Sequence, residues 1–105
     1  MEASIQQHIS TLIARYPNLA VCKDGLVKAY NILEDSFQHD GKLLVAGNGG
    51  SASDSEHIVG ELMKEFKLKR KVYADQAGVL MKIDPEMGHV LAEHLQGALP
   101  AICLT

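Results

Sequence analysis

Two stretches of this sequence hold residue types whose spacing could do chemistry. The first is Gly47-Asn48-Gly49-Gly50-Ser51, where glycines remove the Cβ atoms that would keep backbone amides away from a ligand. Ahead of a helix, such a run offers unpaired N–H groups and the positive helix end to an anion. Ser51 and Ser53 add hydroxyl donors beside those amides, so a phosphate or a polyhydroxylated sugar would sit well there. Tight packing of a strand onto a helix is the other use of such a turn. The two common nucleotide loops fit poorly. No Lys follows Gly50 as the GxxxxGKS/T pattern needs, and Ala52 stands where GxGxxG needs its last glycine.

The second stretch is His57 and Glu61. At i and i+4 they project from one helical face, one turn apart, and Glu61 lies about two and a half turns beyond the loop. A pair so placed can hold a divalent metal, or set a carboxylate base near a bound substrate. By spacing alone it is equally a pair of surface neighbours.

These residues need elements to position them. Ile5, Ile9, Leu12, Ile13 and Tyr16 recur at helical spacing, so a first helix is expected from Ala3 to Arg15, interrupted by Pro17 and Asn18. A second carries Leu26, Ala29, Tyr30, Leu33 and Phe37 and ends near Asp40-Gly41, with Gly41 as the C-terminal cap. Lys42–Ala46 is a short apolar run between glycines, the pattern of a parallel strand buried on both faces. After the loop, Ser53 and Glu56 stand at capping-box spacing and should open a third helix, with Ile58, Leu62 and Phe66 inward. Residues 72–83 read as partly helical. Asp84-Pro85-Glu86 is a helix start, followed by Met87, Val90, Leu91 and Leu95 and a stop at Gly97. Pro100–Thr105 enters a second strand. Two parallel strands cannot cover their own edges, so the expectation is a fragment, or strands completed by a partner chain.

Composition narrows the class. A chain of 105 residues suits one small domain, and 47% hydrophobic with 22% charged residues is ordinary for a globular protein. A net charge of −3 offers no general attraction for nucleic acid or an anionic membrane, and neither is expected as a partner. Cys22 and Cys103 make no metal-type spacing and read as reduced thiols. No apolar run approaches a membrane span and no signal peptide is evident, so a cytoplasmic location is expected.

The stretch Ala46-Gly47-Asn48-Gly49-Gly50-Ser51-Ala52-Ser53-Asp54-Ser55-Glu56-His57-Ile58-Val59-Gly60-Glu61-Leu62 resembles the signature of sugar isomerase (SIS) domains of the phosphoheptose isomerase family. The preceding helices and Leu99–Thr105 resemble that family too. The resemblance implies an α/β fold, a three-layer, flavodoxin-like doubly wound parallel sheet, of which this chain holds the N-terminal helices and first two strands. It implies a single domain with helices over 1–40, a strand, loop and helix over 42–66, and a connecting segment, helix and second strand over 67–105. The implied activity is aldose–ketose isomerisation of sedoheptulose 7-phosphate, in a homotetramer with sites between subunits. Asn48, Gly49, Gly50 and Ser51 would contact the sugar phosphate, His57 and Glu61 would ligate zinc, and Glu61 would also be the base of an enediol mechanism. The remaining Gln and His ligands, and a second phosphate loop, would lie beyond Thr105, so the 105 residues alone are expected to be inactive. The segment between Phe66 and Pro100 is longer and more basic than in the simplest relatives. A different reading is a non-catalytic SIS module that binds a sugar phosphate, or a protein partner such as the replication initiator. Retention of His57 and Glu61 favours the enzyme.

The remaining features have plainer readings. Lys64, Lys67, Lys69, Arg70 and Lys71 form a basic cluster expected to be a solvated helix end, with phosphate steering as a further use. His8, His39, His89 and His94 have no partner at ligand spacing, and Met63, Met81 and Met87 read as core filler.

Overall fold

The computed structural model describes residues 2–105, which divide into two compact units, residues 2–41 and Lys42–Thr105. The first is helical. Helix α1 (Ala3–Arg15) and helix α2 (Lys23–Gln38) flank a 3-10 helix, Pro17–Cys22, whose first position is taken by the proline. Ile5, Ile9, Leu12 and Ile13 of α1 are half-buried as their spacing requires, but Tyr16 lies past the helix and is exposed. On α2, Val27, Tyr30, Leu33 and Phe37 are half-buried, whereas Leu26 and Ala29 are not. The Tyr30 hydroxyl donates to Glu34 Oε1 at 2.7 Å, and that carboxylate holds the phenol above its ordinary pKa.

The end of α2 corrects the expected cap. Asp40, not Gly41, takes the left-handed conformation, with φ 57°. The Gly41 N–H then donates to the Ser36 carbonyl at 2.7 Å, closing a Schellman motif in which Asp tolerates the strained position. Gly41 is required for space instead, since a Cβ there would stand 2.7 Å from the Ser36 carbonyl oxygen.

The second unit is α/β. Strands β1 (Leu43–Val45) and β2 (Ala101–Cys103) pair in parallel, with Leu43 opposite Ala101, Leu44 opposite Ile102 and Val45 opposite Cys103. Helix α3 (Gly50–Met63) packs against both strands. Alternation along the strands turns Leu43, Val45, Ala101 and Cys103 to that helix. The opposite face is bare: Leu44 is 55% and Ile102 48% exposed. The strand expected to be buried on both faces is therefore covered on one. Among the described residues Ala101 is the one buried apolar side chain.

Between α3 and β2 the chain makes a helical hairpin, α4 (Ala74–Ile83) and α5 (Pro85–His94). Asp84 caps α5 as its type and position require, accepting from the N–H groups of Glu86 at 3.0 Å and Met87 at 2.9 Å. Gly88 is buried where the helices meet, and a Cβ on it would stand 2.3 Å from the Leu80 carbonyl oxygen. Helix α5 ends at His94 rather than running to Gly97, because Leu95 is already extended. Met87, Val90 and Leu95, expected inward, are about half exposed, as are Ile58 and the supposed core methionine Met63; Met81 is 39% exposed. Among the described residues no helix is long and apolar enough to cross a membrane.

Candidate functional site

Parallel pairing puts the carboxyl ends of β1 and β2 at the same end of the sheet, and the Gly-rich loop leaves from there. The Leu104 N–H donates to the Val45 carbonyl at 2.9 Å, so the pairing holds up to the start of the loop. Gly49 has φ 56° and ψ −125°, a conformation open in practice to glycine, and it serves as the N-cap of α3. The helix therefore begins at Gly50, three residues before the expected capping box, and Ser53 sits inside it rather than capping it. The turn is closed by the Ser51 N–H on the Asn48 carbonyl at 3.0 Å and the Ala52 N–H on the Gly49 carbonyl at 3.1 Å.

The loop folds back on the first turn of α3. A Cβ on Gly47 would stand 2.4 Å from the Ser51 carbonyl oxygen, so only glycine fits. That carbonyl also accepts from Ser55 Oγ at 2.7 Å, and Ser55 is buried. Gly50, by contrast, faces open space. The loop thus presents Asn48, Gly49, Gly50 and Ser51 on an exposed helix start, with the backbone shape set from beneath by Gly47 and Ser55. Polar recognition of an anion or a sugar hydroxyl is the chemistry such an arrangement offers.

His57 and Glu61 do come together. His57 Nε2 lies 3.5 Å from Glu61 Oε1, and Lys64 Nζ is 3.9 Å from the same oxygen. The His57 side chain is 78% exposed and that of Glu61 24%. Glu61 Oε2 is buried and takes no hydrogen bond from the described residues. An unsatisfied buried carboxylate oxygen costs stability and points to a partner. Two ligand atoms about 2.0–2.1 Å from a tetrahedral zinc stand about 3.3 Å apart, close to the separation seen, so the pair fits two corners of such a site. Among the described residues no group of three or more His, Cys, Asp or Glu is arranged to hold a metal. Other ligands would have to come from outside them.

The loop and the pair are not brought into contact. Eleven residues separate Gly50 from Glu61 on one helix, about 16 Å of rise. The loop opens the first turn of α3, His57 lies at its middle and Glu61 in its last turn.

The last turn holds what the sequence reading missed. Arg70, grouped above with solvated lysines, is half-buried and turned back on the chain. Its Nη2 donates to the carbonyls of Leu62 at 2.6 Å and Lys64 at 3.1 Å, and its Nε to that of Gly97 at 3.0 Å. The Gly97 N–H returns a bond to the Arg70 carbonyl at 2.7 Å, and the Leu99 N–H donates to Leu62 at 2.9 Å. Gln96 Oε1 accepts from the Glu65 N–H. The carbonyls that a helix C-terminus leaves free are the reason an arginine belongs there, but spacing gave no hint of which cation would take them. Of the histidines, His39 does have a partner, Asp35 Oδ1 at 3.3 Å, on the surface of α2.

A groove of about 520 Å³ lined by Val72, Asp75, Gln76, Val79, Leu80, Leu95 and Gln96 lies along the hairpin, apart from these groups.

Comparison with curated proteins finds similarity to phosphoheptose isomerases. The chain is 31% identical over 84 residues to that of Helicobacter hepaticus, covering 80% of this chain and 41% of the relative. It is 34% identical over 71 residues to that of Citrifermentans bemidjiense, 68% of this chain and 35% of the relative. It is 41% identical over 49 residues to that of Helicobacter pylori strain 26695, 47% of this chain and 26% of the relative. The chain thus spans less than half the length of these curated relatives. No family model matches it, and no solved structure does.

Proposed function

We propose that this chain carries the sugar-phosphate loop and the catalytic carboxylate of an aldose–ketose isomerase acting on sedoheptulose 7-phosphate. The observation that carries the reading is Glu61, whose buried Oε2 has no hydrogen-bond partner among the described residues while Oε1 faces His57 on the same helix. The similarity to proteins named phosphoheptose isomerase, through several partial matches, supports the substrate.

In this reading Asn48, Gly49, Gly50 and Ser51 bind the polar end of the sugar phosphate through amides and hydroxyl groups. Glu61 takes a proton from the carbon beside the ketose carbonyl and returns it to the former carbonyl carbon. The carbonyl oxygen is protonated and the neighbouring hydroxyl deprotonated, so the pair of carbons passes through an enediol with no net oxidation. A carboxylate is suited to this when it is partly desolvated and close to the carbon acid. His57 and Glu61 would hold zinc with ligands from outside the described residues, and a bound zinc would polarise the sugar carbonyl. The protein is proposed to be cytoplasmic and to assemble with copies of itself.

The test is isomerisation of sedoheptulose 7-phosphate by the full-length protein, with and without added zinc, beside Glu61→Gln. The variant is expected to lose turnover at least 100-fold while still binding the sugar phosphate. Binding without turnover in the unaltered protein would remove the enzyme reading and leave a non-catalytic sugar-phosphate module.

A further inference from the structure

The geometry points to Arg70 as a positioning residue for Glu61, a role that rests on the isomerase reading given above. Glu61 lies in the last turn of α3, and the residue after it, Leu62, has a carbonyl that serves as a junction. It accepts from Arg70 Nη2 at 2.6 Å and from the Leu99 N–H at 2.9 Å. The same guanidinium reaches the Lys64 carbonyl at 3.1 Å and, through Nε, that of Gly97 at 3.0 Å. One planar fork thus joins the end of the helix carrying Glu61 to the segment leading into β2.

The arrangement answers a physical difficulty. The helical hairpin of α4 and α5 is inserted between the end of α3 and β2, and would leave that helix end free to fray. At the base of the hairpin the chain is pinched shut: Lys71 and Gln96 form an antiparallel bridge, and the Gly97 N–H donates to the Arg70 carbonyl at 2.7 Å. A Cβ on Gly97 would stand 2.7 Å from the Lys71 carbonyl oxygen, so the closure is tight. Lysine could keep the charge of Arg70 but not the flat fork that meets three carbonyls at once. Catalysis by a carboxylate depends on its placement, and displacements of about 1 Å can cost a hundredfold in rate.

The test uses Arg70→Lys and Arg70→Gln in the full-length protein, with Glu61→Gln alongside, all assayed per folded molecule. One readout needs no turnover: amide exchange over residues 60–64. The expected result in both Arg70 variants is exchange about tenfold faster or more. With it, kcat should fall about tenfold to a hundredfold while KM stays within twofold. Unchanged exchange overturns the proposal whether or not the protein is an isomerase. Faster exchange with kcat intact in an active enzyme overturns it as well. Absence of turnover in the unaltered protein, or full activity of Glu61→Gln, counts against the isomerase reading alone, and exchange then decides on Arg70. Should the variants fail to fold, rapid exchange of the Arg70 Nε–H in the unaltered protein would still overturn the proposal, and a protected signal would support it.

Discussion

Glycines in the loop after β1 are not interchangeable, because each meets a different obstacle. Gly49 is held at φ 56°, whereas Gly50 follows it inside the helix with nothing near its would-be Cβ. Gly49→Ala is therefore expected to lower stability by about 1–3 kcal/mol, the scale of a side chain forced into a sparsely populated conformation. Gly50→Ala should be neutral or stabilising by up to about 1 kcal/mol, through the entropy of the unfolded chain. Chemical denaturation of the two variants checks both; equal losses would show that the loop does not hold the described turn. That this run is a loop before a helix was legible in the residue types alone. Where the helix starts was not. Ser53 and Glu56 have the right spacing for a cap, but the turn at Gly49 begins the helix earlier and leaves Ser53 inside it.

At the scale of elements, the α4–α5 hairpin depends on one close approach. The buried Gly88 faces the Leu80 carbonyl, while Gly78 on the partner helix has open space around it. Gly88→Ala must push the helices apart and is expected to cost roughly 1–3 kcal/mol, as overpacking does. Gly78→Ala should be neutral or raise stability by up to about 1 kcal/mol, since alanine is the better helix former. Thermal melts of the pair separate the effects; a harmless Gly88→Ala would mean that the helices do not pack there. The start of α5 could be read directly, because Asp84 accepts from amides two and three residues away and Pro85 suits the first helical position. The pairing of α4 with α5 could not, because α4 carries no strong periodic stripe and its stretch reads only as partly helical.

For the molecule as a whole, the governing fact is how little apolar surface is covered. Leu44 and Ile102 are register neighbours on the bare side of the sheet, and Leu104 beyond them is 60% exposed. Two-stranded sheets are marginal without cover on a hydrophobic face. The isolated residues 1–105 are expected to bind the dye ANS and to associate as concentration rises. Replacing Leu44 and Ile102 together by Glu should reduce both by several-fold. Sedimentation and dye fluorescence are the measurements, and a monomer that binds no dye would show that the face is not exposed in solution.

Taken across these scales, what the sequence by itself determined is local. The bounds of α1, the proline-led break after it, the cap at Asp84, the glycine loop after β1 and the shared face of His57 and Glu61 all depend on interactions within about one helical turn. Chain order and residue type are enough to specify those. The tertiary structure alone decided which face of the sheet is covered, how the hairpin closes, and that Arg70 leaves the basic cluster to bind three carbonyls. Arg70 and Gly97 stand 27 positions apart, and such a contact exists only when the intervening chain has folded back on itself. Spacing along the chain carries no record of that return. A solvated lysine and a half-buried arginine fork are therefore alike in sequence and differ only in what the fold sets before them.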